Sequence, residues 1–142
     1  MAKLYLVQHG KQVQEEENPE EPLSQEGKMD CEKAAKFAEK AGVKVSDIFH
    51  SMNLRAKETA EIYKNHLMPG GELSEQQGLK PMDDVEAWPP KIEDHSGDLM
   101  LVGHMPFMQK LSSLLITGDT EKPVYQFQQG GILCMEKNEE GN

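Results

Sequence analysis

The chain has 142 residues, which is enough for one domain with a single hydrophobic core. It carries 25 acidic and 15 basic side chains, and its formal net charge is -10. This charge argues against a nucleic-acid partner, but it still allows a few cations to surround one small phosphoryl group. The apolar run in residues 1–7 is too short for a membrane span or a signal peptide. We therefore expect one cytoplasmic domain, residues 1–142, without a membrane partner.

The first half of the chain alternates between the patterns of strands and helices. Short runs of apolar and β-favouring residues predict two strands. Small apolar residues at helical spacing, between a capping Ser24 and Gly42, predict a helix. The predicted elements are a strand at Lys3–Val7, an acidic loop at 12–22, a helix from near Gln25 to Gly42, a strand at Val45–His50 and a helix from Leu54 to about Leu67.

The second half contains one strong strand and one strong helix. The continuous apolar run Asp98–Val102 is typical of a strand covered on both faces, and apolar residues at helical spacing predict a helix over Pro106–Ile116 that closes at Gly118. The other predicted elements are a loop at 68–78, a brief strand at Leu79–Met82, a short helix at Asp83–Trp88 ended by Pro89 and Pro90, and an antiparallel hairpin of Val124–Phe127 with Ile132–Met135.

Strands that alternate with helices predict an α/β fold, with a three-layer, open, mainly parallel sheet and the hairpin at its C-terminal end. Helices are expected on both faces of this sheet. Ligands of such sheets bind beyond the carboxyl ends of the strands. His9 and His104 both fall at that edge, because each follows a predicted strand.

Three short motifs follow predicted strands and are expected to converge on one edge. They are Gln8-His9-Gly10, Ser51-x-x-x-Arg55-Ala56-x-x-Thr59 and Gly103-His104-x-Pro106. A single histidine at a strand end more often satisfies a backbone carbonyl than performs chemistry. Three coincident motifs, one of them with an arginine that can hold two phosphate oxygens, favour a functional site instead.

These motifs resemble those of the phosphoglycerate-mutase-like histidine phosphatase superfamily, and specifically those of its small phosphohistidine phosphatase branch. Pro22-Leu23-Ser24-Gln25-Glu26-Gly27 is similar to a further motif of that family. The resemblance implies that His9 is a nucleophile that carries the phosphoryl group, with Arg55 and His104 as catalytic partners. It also implies phosphate contacts from Gln8, Arg55, His104 and Ser51. A protonated His104 would add a second cationic donor.

The chain departs from the family at three places. Gln8 stands where the family has arginine, Glu21 stands where a basic residue is frequent, and the sequence ends where a further turn and strand are usual. We expect reduced activity from Gln8, because an amide lacks the charge of a guanidinium, and Lys11 is a candidate to compensate. Asp83 and Asp84 are the candidates for a general acid. An open sheet edge is expected at the C-terminal end.

Neither a cofactor nor a metal is called for. Cys31 and Cys134 form no close pair, and His50, His66 and His95 lack the spacing of metal ligands.

Two functions remain open. The first is a metal-independent phosphatase of phosphohistidine or another phosphorylated group, acting on a protein or a small molecule. The second is a catalytically impaired module that binds phosphate or a phosphoprotein with the same fold. A receiver-type or nucleotide-binding protein is set aside, because the chain lacks an acidic pair after the first strand and a glycine-rich phosphate loop. The oligomeric state is left open.

Overall fold

The computed structural model describes residues 3–122 and 125–136. The chain alternates strands and helices through these residues, as the sequence predicts. The strands are β1 (Lys3–Gln8), β2 (Asp47–His50), β3 (Ser74–Glu75), β4 (Leu99–Gly103) and β5 (Ile132–Glu136). The helices are α1 (Gln25–Lys40), α2 (Leu54–Leu67), α3 (Trp88–Asp94) and α4 (Phe107–Thr117), with a 3-10 turn at Val85–Ala87.

The described strands form one five-stranded sheet in the order β3-β2-β4-β1-β5. Strands β1 to β4 run parallel, and β5 pairs antiparallel with β1. All five residues of β4 are buried, as its apolar run predicts. The α/β class and the mainly parallel sheet are therefore confirmed, and the carboxyl ends of β1, β2 and β4 lie at one edge.

Each face of the sheet is covered by a pair of helices. Helices α1 and α2 pack with Val7, Ile48 and Val102 on one face. Helices α3 and α4 pack with Leu6 and Leu101 on the other. The alternation of buried side chains along β1 explains how one strand serves both layers. None of the described helices is both long enough and apolar enough to cross a bilayer.

The region between α2 and β4 differs from the prediction. Residues 79–82 form no strand, and β3 lies instead at Ser74–Glu75, within the predicted loop. Pro89 and Pro90 begin α3 rather than ending a helix. The physical reason is that the first turn of a helix leaves its N–H groups unpaired, so a proline without an N–H loses nothing there.

The predicted hairpin is also wrong, because β5 pairs with β1. Val124 lies outside the described residues, and Tyr125–Phe127 forms no strand. Phe127 is instead buried in the core beside α4, with the Tyr125 ring edge-on at 4.9 Å. The edge of β1 thus satisfies the backbone hydrogen bonds of β5, and the turn before β5 closes over the end of β1.

Candidate active site

The structure brings His9, Ser51 and His104 together at the carboxyl edge of the sheet. Each residue directly follows its strand, β1, β2 or β4. Their exposed fractions are 6%, 0% and 1%. The imidazole centroids of His9 and His104 are 4.9 Å apart, with an angle of 60° between the rings. Two neighbouring parallel strands therefore place two buried histidines in direct contact.

The His9 ring is held in one tautomer by its own turn. Its Nδ1 lies 2.7 Å from the Gly10 carbonyl oxygen. Because a carbonyl oxygen can only accept a hydrogen bond, Nδ1 carries the proton. The other ring nitrogen, Nε2, then keeps its lone pair. This is the form that a nucleophilic histidine requires.

The turn after His9 is anchored on α2. The Gly10 backbone N–H donates to Thr59 Oγ1 at 2.9 Å, and the Thr59 hydroxyl donates to the Arg55 carbonyl at 2.8 Å. A Cβ atom on Gly10 would lie 2.6 Å from Cys31 Sγ, so only glycine allows this close approach. The motif that contains Arg55 also contains Thr59, but the motif alone did not indicate what the threonine holds.

A second support for the turn was missed in the sequence. The Tyr63 hydroxyl donates to the Gly130 carbonyl at 2.7 Å, and the Gly130 N–H donates to the carbonyl oxygens of Gln8 and His9. The signal was present, because Arg55, Thr59 and Tyr63 recur every fourth residue and therefore share one face of α2. That face positions the end of β1.

Ser51 links β2 to His104. Its Oγ lies 2.9 Å from His104 Nε2 and 3.3 Å from Asn53 Oδ1. Because the single hydroxyl proton is donated to Asn53 Oδ1, the Ser51 oxygen accepts from His104 Nε2, and the neutral ring carries its proton on Nε2. Ser51 therefore orients the second histidine of the site.

Two polar atoms of the site are buried without a partner among the described residues. They are His104 Nδ1 and Arg55 Nε. Buried polar atoms without a hydrogen bond are rare and costly, so each instance calls for a missing partner. Arg55 lies in the first turn of α2, whose N-terminus receives no hydrogen bond from the Asn53 side chain. A guanidinium at a helix N-terminus favours an anion.

Burial favours the uncharged form of both histidines at neutral pH in the ligand-free site. Burial, and then the charge of Arg55, lowers the pKa of His9, although its bond to Gly10 and the charge of Glu21 oppose this shift. Burial lowers the pKa of His104 to about 3, and the charge of His9, once that ring is protonated, and those of Arg55 and Lys80 add to the effect. His104 is therefore not a cation before an anion binds. A phosphoryl dianion would raise both pKa values, because it stabilises the protonated rings.

Gln8, Lys11 and Glu21 are the residues that we expect to alter the charge of the phosphate pocket. Gln8 is half-buried, and its side chain makes no hydrogen bond to a described residue. Lys11 Nζ pairs with Glu26 Oε2 at 2.7 Å on the exposed surface, so Lys11 does not replace the missing arginine. Glu21 has a left-handed backbone, φ 46°, and its carboxylate is close enough to raise the pKa of His9.

The two candidate general acids are engaged in their own turns. Asp83 Oδ2 accepts from the Lys80 N–H at 2.8 Å, and Asp84 Oδ1 accepts from the Glu86 N–H at 2.9 Å. Neither carboxylate bonds to His9 or His104 in the described part of the chain. Their role as acids stays a prediction.

A cavity of about 510 Å³ opens beside Arg55, with Glu20, Glu21 and Glu75 on its rim. A larger cavity, about 760 Å³, lies at the opposite end of the sheet near Lys3 and Leu99. The smaller cavity is lined by Arg55 but not by His9, Ser51 or His104, so it adjoins the histidine pair on the side of the arginine.

Comparison with known proteins assigns the chain to a family. The model of the histidine phosphatase superfamily (branch 1) matches residues 4–86, more than half of the chain. No curated protein sequence matches. Three solved structures of phosphatases, all at low sequence identity, share the fold.

The protein histidine phosphatase SixA complexed with tungstate has a TM-score of 0.86 at 21% identity, and the match covers 99% of this chain and 91% of that one. A mycobacterial glucosyl-3-phosphoglycerate phosphatase complexed with VO3 has a TM-score of 0.77 at 14% identity, with coverage of 99% and 93%. A phosphoserine phosphatase variant from Entamoeba histolytica in complex with phosphoserine has a TM-score of 0.70 at 16% identity, with coverage of 99% and 93%. The chain therefore belongs to the histidine phosphatase superfamily, because the family model matches it and its motifs and edge-on histidine pair agree with that match.

Proposed function

We propose that the protein is a metal-independent phosphatase that hydrolyses phosphohistidine or another phosphorylated group through a phospho-His9 intermediate. One observation carries the proposal. The buried, unpartnered Arg55 Nε and His104 Nδ1 lie in the same site as a His9 ring whose Nε2 retains its lone pair. Together they match a nucleophile surrounded by donors for phosphoryl oxygens.

The chemistry proceeds in two transfers. His9 Nε2 attacks phosphorus and forms a P–N bond, while the bond from phosphorus to the leaving nitrogen or oxygen breaks and the leaving atom takes up a proton. A water then attacks the phosphorus of phospho-His9 and gives up a proton to the solvent. The P–N bond breaks, its electron pair returns to Nε2, and inorganic phosphate leaves. Arg55 and His104, which donates from Nδ1 once the bound dianion has favoured its protonated form, bind the equatorial oxygens in both steps, and Ser51 keeps His104 in place.

A phosphorylated histidine is the substrate that we favour. Two observations support it: the length and motifs of the chain resemble the small phosphohistidine phosphatase branch, and a protein histidine phosphatase shares the fold along 99% of the chain. A phosphoramidate also suits this site. Its leaving nitrogen needs less help from a general acid than an alcohol does, and both candidate acids, Asp83 and Asp84, accept hydrogen bonds from backbone N–H groups.

The test is turnover of a phosphohistidine protein and of an aryl phosphate. The native chain should hydrolyse at least the phosphohistidine protein, and His9→Ala should abolish both reactions. His66→Ala is the matched control, because His66 lies on the surface between α1 and α2, away from the site. Acid-labile labelling of the native chain, absent from His9→Ala, would identify the intermediate. Equal activity of native and His9→Ala chains would refute the mechanism.

A module that binds phosphate without turnover is the second candidate, and Gln8 is the observation that favours it. Chemical-shift mapping with inorganic phosphate separates the two functions. Shifts at His9, Arg55 and His104 without hydrolysis would establish the module. Shifts elsewhere, or an unchanged affinity in Arg55→Ala, would show that the pocket is placed wrongly.

A further inference from the structure

The loop before the 3-10 turn packs directly against the strand that carries His104. Leu79 is fully buried, and a Cβ atom built on Gly103 would lie 3.1 Å from the Leu79 carbonyl oxygen and 3.8 Å from the Leu79 Cβ. Because Gly103 has no side chain, the backbone of this loop reaches the residue just before His104. The next residue of the loop, Lys80, therefore starts beside the site.

The backbone of Lys80 is fixed in this position. Its N–H donates to Asp83 Oδ2 at 2.8 Å, and its carbonyl accepts from the Asp83 N–H at 3.1 Å. The Lys80 side chain is exposed and forms no ion pair within the described part of the chain. Its charge nevertheless acts on His104, where it helps to lower the pKa of the imidazole. An anchored loop thus holds an uncompensated ammonium within electrostatic reach of the pocket.

Other cations near the site are less suited to this role. Lys11 is paired with Glu26, as described above. Lys57 is exposed on the cavity rim, and its charge is not among the causes that shift the pKa of His9 or His104. Gln8, at the end of β1, brings no charge. Among the described residues, Arg55 and Lys80 are the permanent cations whose charge reaches His104.

We propose that Lys80 is a second cationic group of the phosphate pocket and contributes the positive charge that Gln8 does not. The proposal rests on the proposed function, since it assumes that a phosphoryl dianion occupies the space beside Arg55 and His104. The cation comes from the loop that packs on β4, not from the end of β1.

The test compares the binding of inorganic phosphate by the native chain and its variants, measured by calorimetry. Lys80→Met should weaken the affinity about tenfold, Lys80→Arg should retain most of it, and Gln8→Arg should restore binding when combined with Lys80→Met. Lys44→Met is the matched control, because Lys44 is exposed just before β2 begins, at the opposite end of the sheet. NMR titration should show a higher pKa for His104 in Lys80→Met, since one positive charge is removed.

The possible outcomes separate this proposal from the proposed function. If Lys80→Met binds phosphate like the native chain while Arg55→Ala does not, Lys80 has no part in the pocket and the phosphatase proposal stands. If neither substitution changes binding, the pocket itself is misplaced and both proposals fail. Lys80→Met and Lys80→Gln both remove the charge. A lower phosphate affinity in the first variant but not in the second would point to packing of the side chain and would also overturn the role of its charge.

Discussion

Thr59 accepts a hydrogen bond from the Gly10 backbone N–H at 2.9 Å, and this single contact joins α2 to the turn that holds His9. The same hydroxyl donates to the Arg55 carbonyl one helical turn earlier. The nucleophile and the phosphate-binding arginine of the proposed mechanism are therefore positioned through one side chain. A shift of α2 along its axis would therefore disturb both Arg55 and the turn that holds His9.

Thr59→Val should lower activity and stability together, because it keeps the shape of the side chain and leaves the buried Gly10 N–H without an acceptor. The unfolding free energy should fall by about 1–3 kcal/mol. Activity on phosphohistidine should fall about tenfold, mainly in kcat. Urea unfolding and steady-state kinetics measure the two effects. Thr59→Ser should retain most of both, and Thr117→Val, at the end of α4, is the control for losing a threonine hydroxyl elsewhere. Full kcat in Thr59→Val would contradict this positioning role.

Gln8→Arg should raise phosphatase activity. A guanidinium at the end of β1 would add a charge-assisted contact that strengthens as the phosphoryl group is transferred, so the gain should appear in kcat. An increase of about tenfold corresponds to roughly 1.4 kcal/mol in the barrier. His9→Ala in the same background should abolish the activity. An unchanged or slower Gln8→Arg enzyme, beside a fast native one, would mean that Lys80 replaces the missing guanidinium in full rather than in part.

Acid should destabilise the protein partly through His104. The folded pKa of this ring is about 3, below its ordinary value of 6.5, so between these pH values the unfolded chain binds more protons than the folded one. Stability should therefore fall as the pH drops below about 6.5, and His9 should act in the same direction. Urea unfolding at pH 7 and pH 5 should give a steeper loss for the native chain than for His104→Gln. Sulfate should reduce the loss, because a bound dianion favours the protonated ring. Parallel pH dependences in the two chains would exclude His104 as the source.

His66 should have the opposite pH dependence. It bridges Glu39 and Glu32 of α1 at 2.8 Å each, and these hydrogen bonds raise its pKa. The contribution of the bridge to stability is therefore complete below pH 6.5 and is lost as the pH rises through the raised pKa. Because the two carboxylates are about half exposed, the effect should stay below about 1 kcal/mol. The stability difference between native and His66→Gln chains should be larger at pH 6 than at pH 9. A constant difference would show that the bridge contributes through packing alone.

Glu21→Gln should lower the pKa of His9 and strengthen phosphate binding several-fold. The Glu21 carboxylate favours the protonated His9 ring, and it would repel an anion in the adjacent cavity. NMR titration and calorimetry measure the two effects. Glu16→Gln is the control, because Glu16 lies in the same exposed acidic loop but does not line the cavity. Identical phosphate affinities in all three chains would place Glu21 outside the range of the bound anion.

The elements that depend on local pattern were predictable from the sequence. Helix α2 spans Leu54–Leu67, as its residues predict, and α4 closes at Gly118 in the left-handed conformation that glycine allows. The apolar run of β4 likewise predicted a buried central strand. Family membership was also readable, because the motifs around His9, Arg55 and His104 are short and local.

Tertiary structure alone decided which distant segments meet. The partner of β5 depended on the free edge of β1, and local propensity along β5 does not encode that edge. The contacts of Thr59 with Gly10 and of Tyr63 with Gly130 join residues 49 and 67 positions apart. The neutral state of His104 likewise follows from burial and from the positive charges of Arg55 and Lys80 on other parts of the chain. A residue's type and its neighbours in sequence determine the local backbone, whereas burial and electrostatic environment arise only when separate segments pack together.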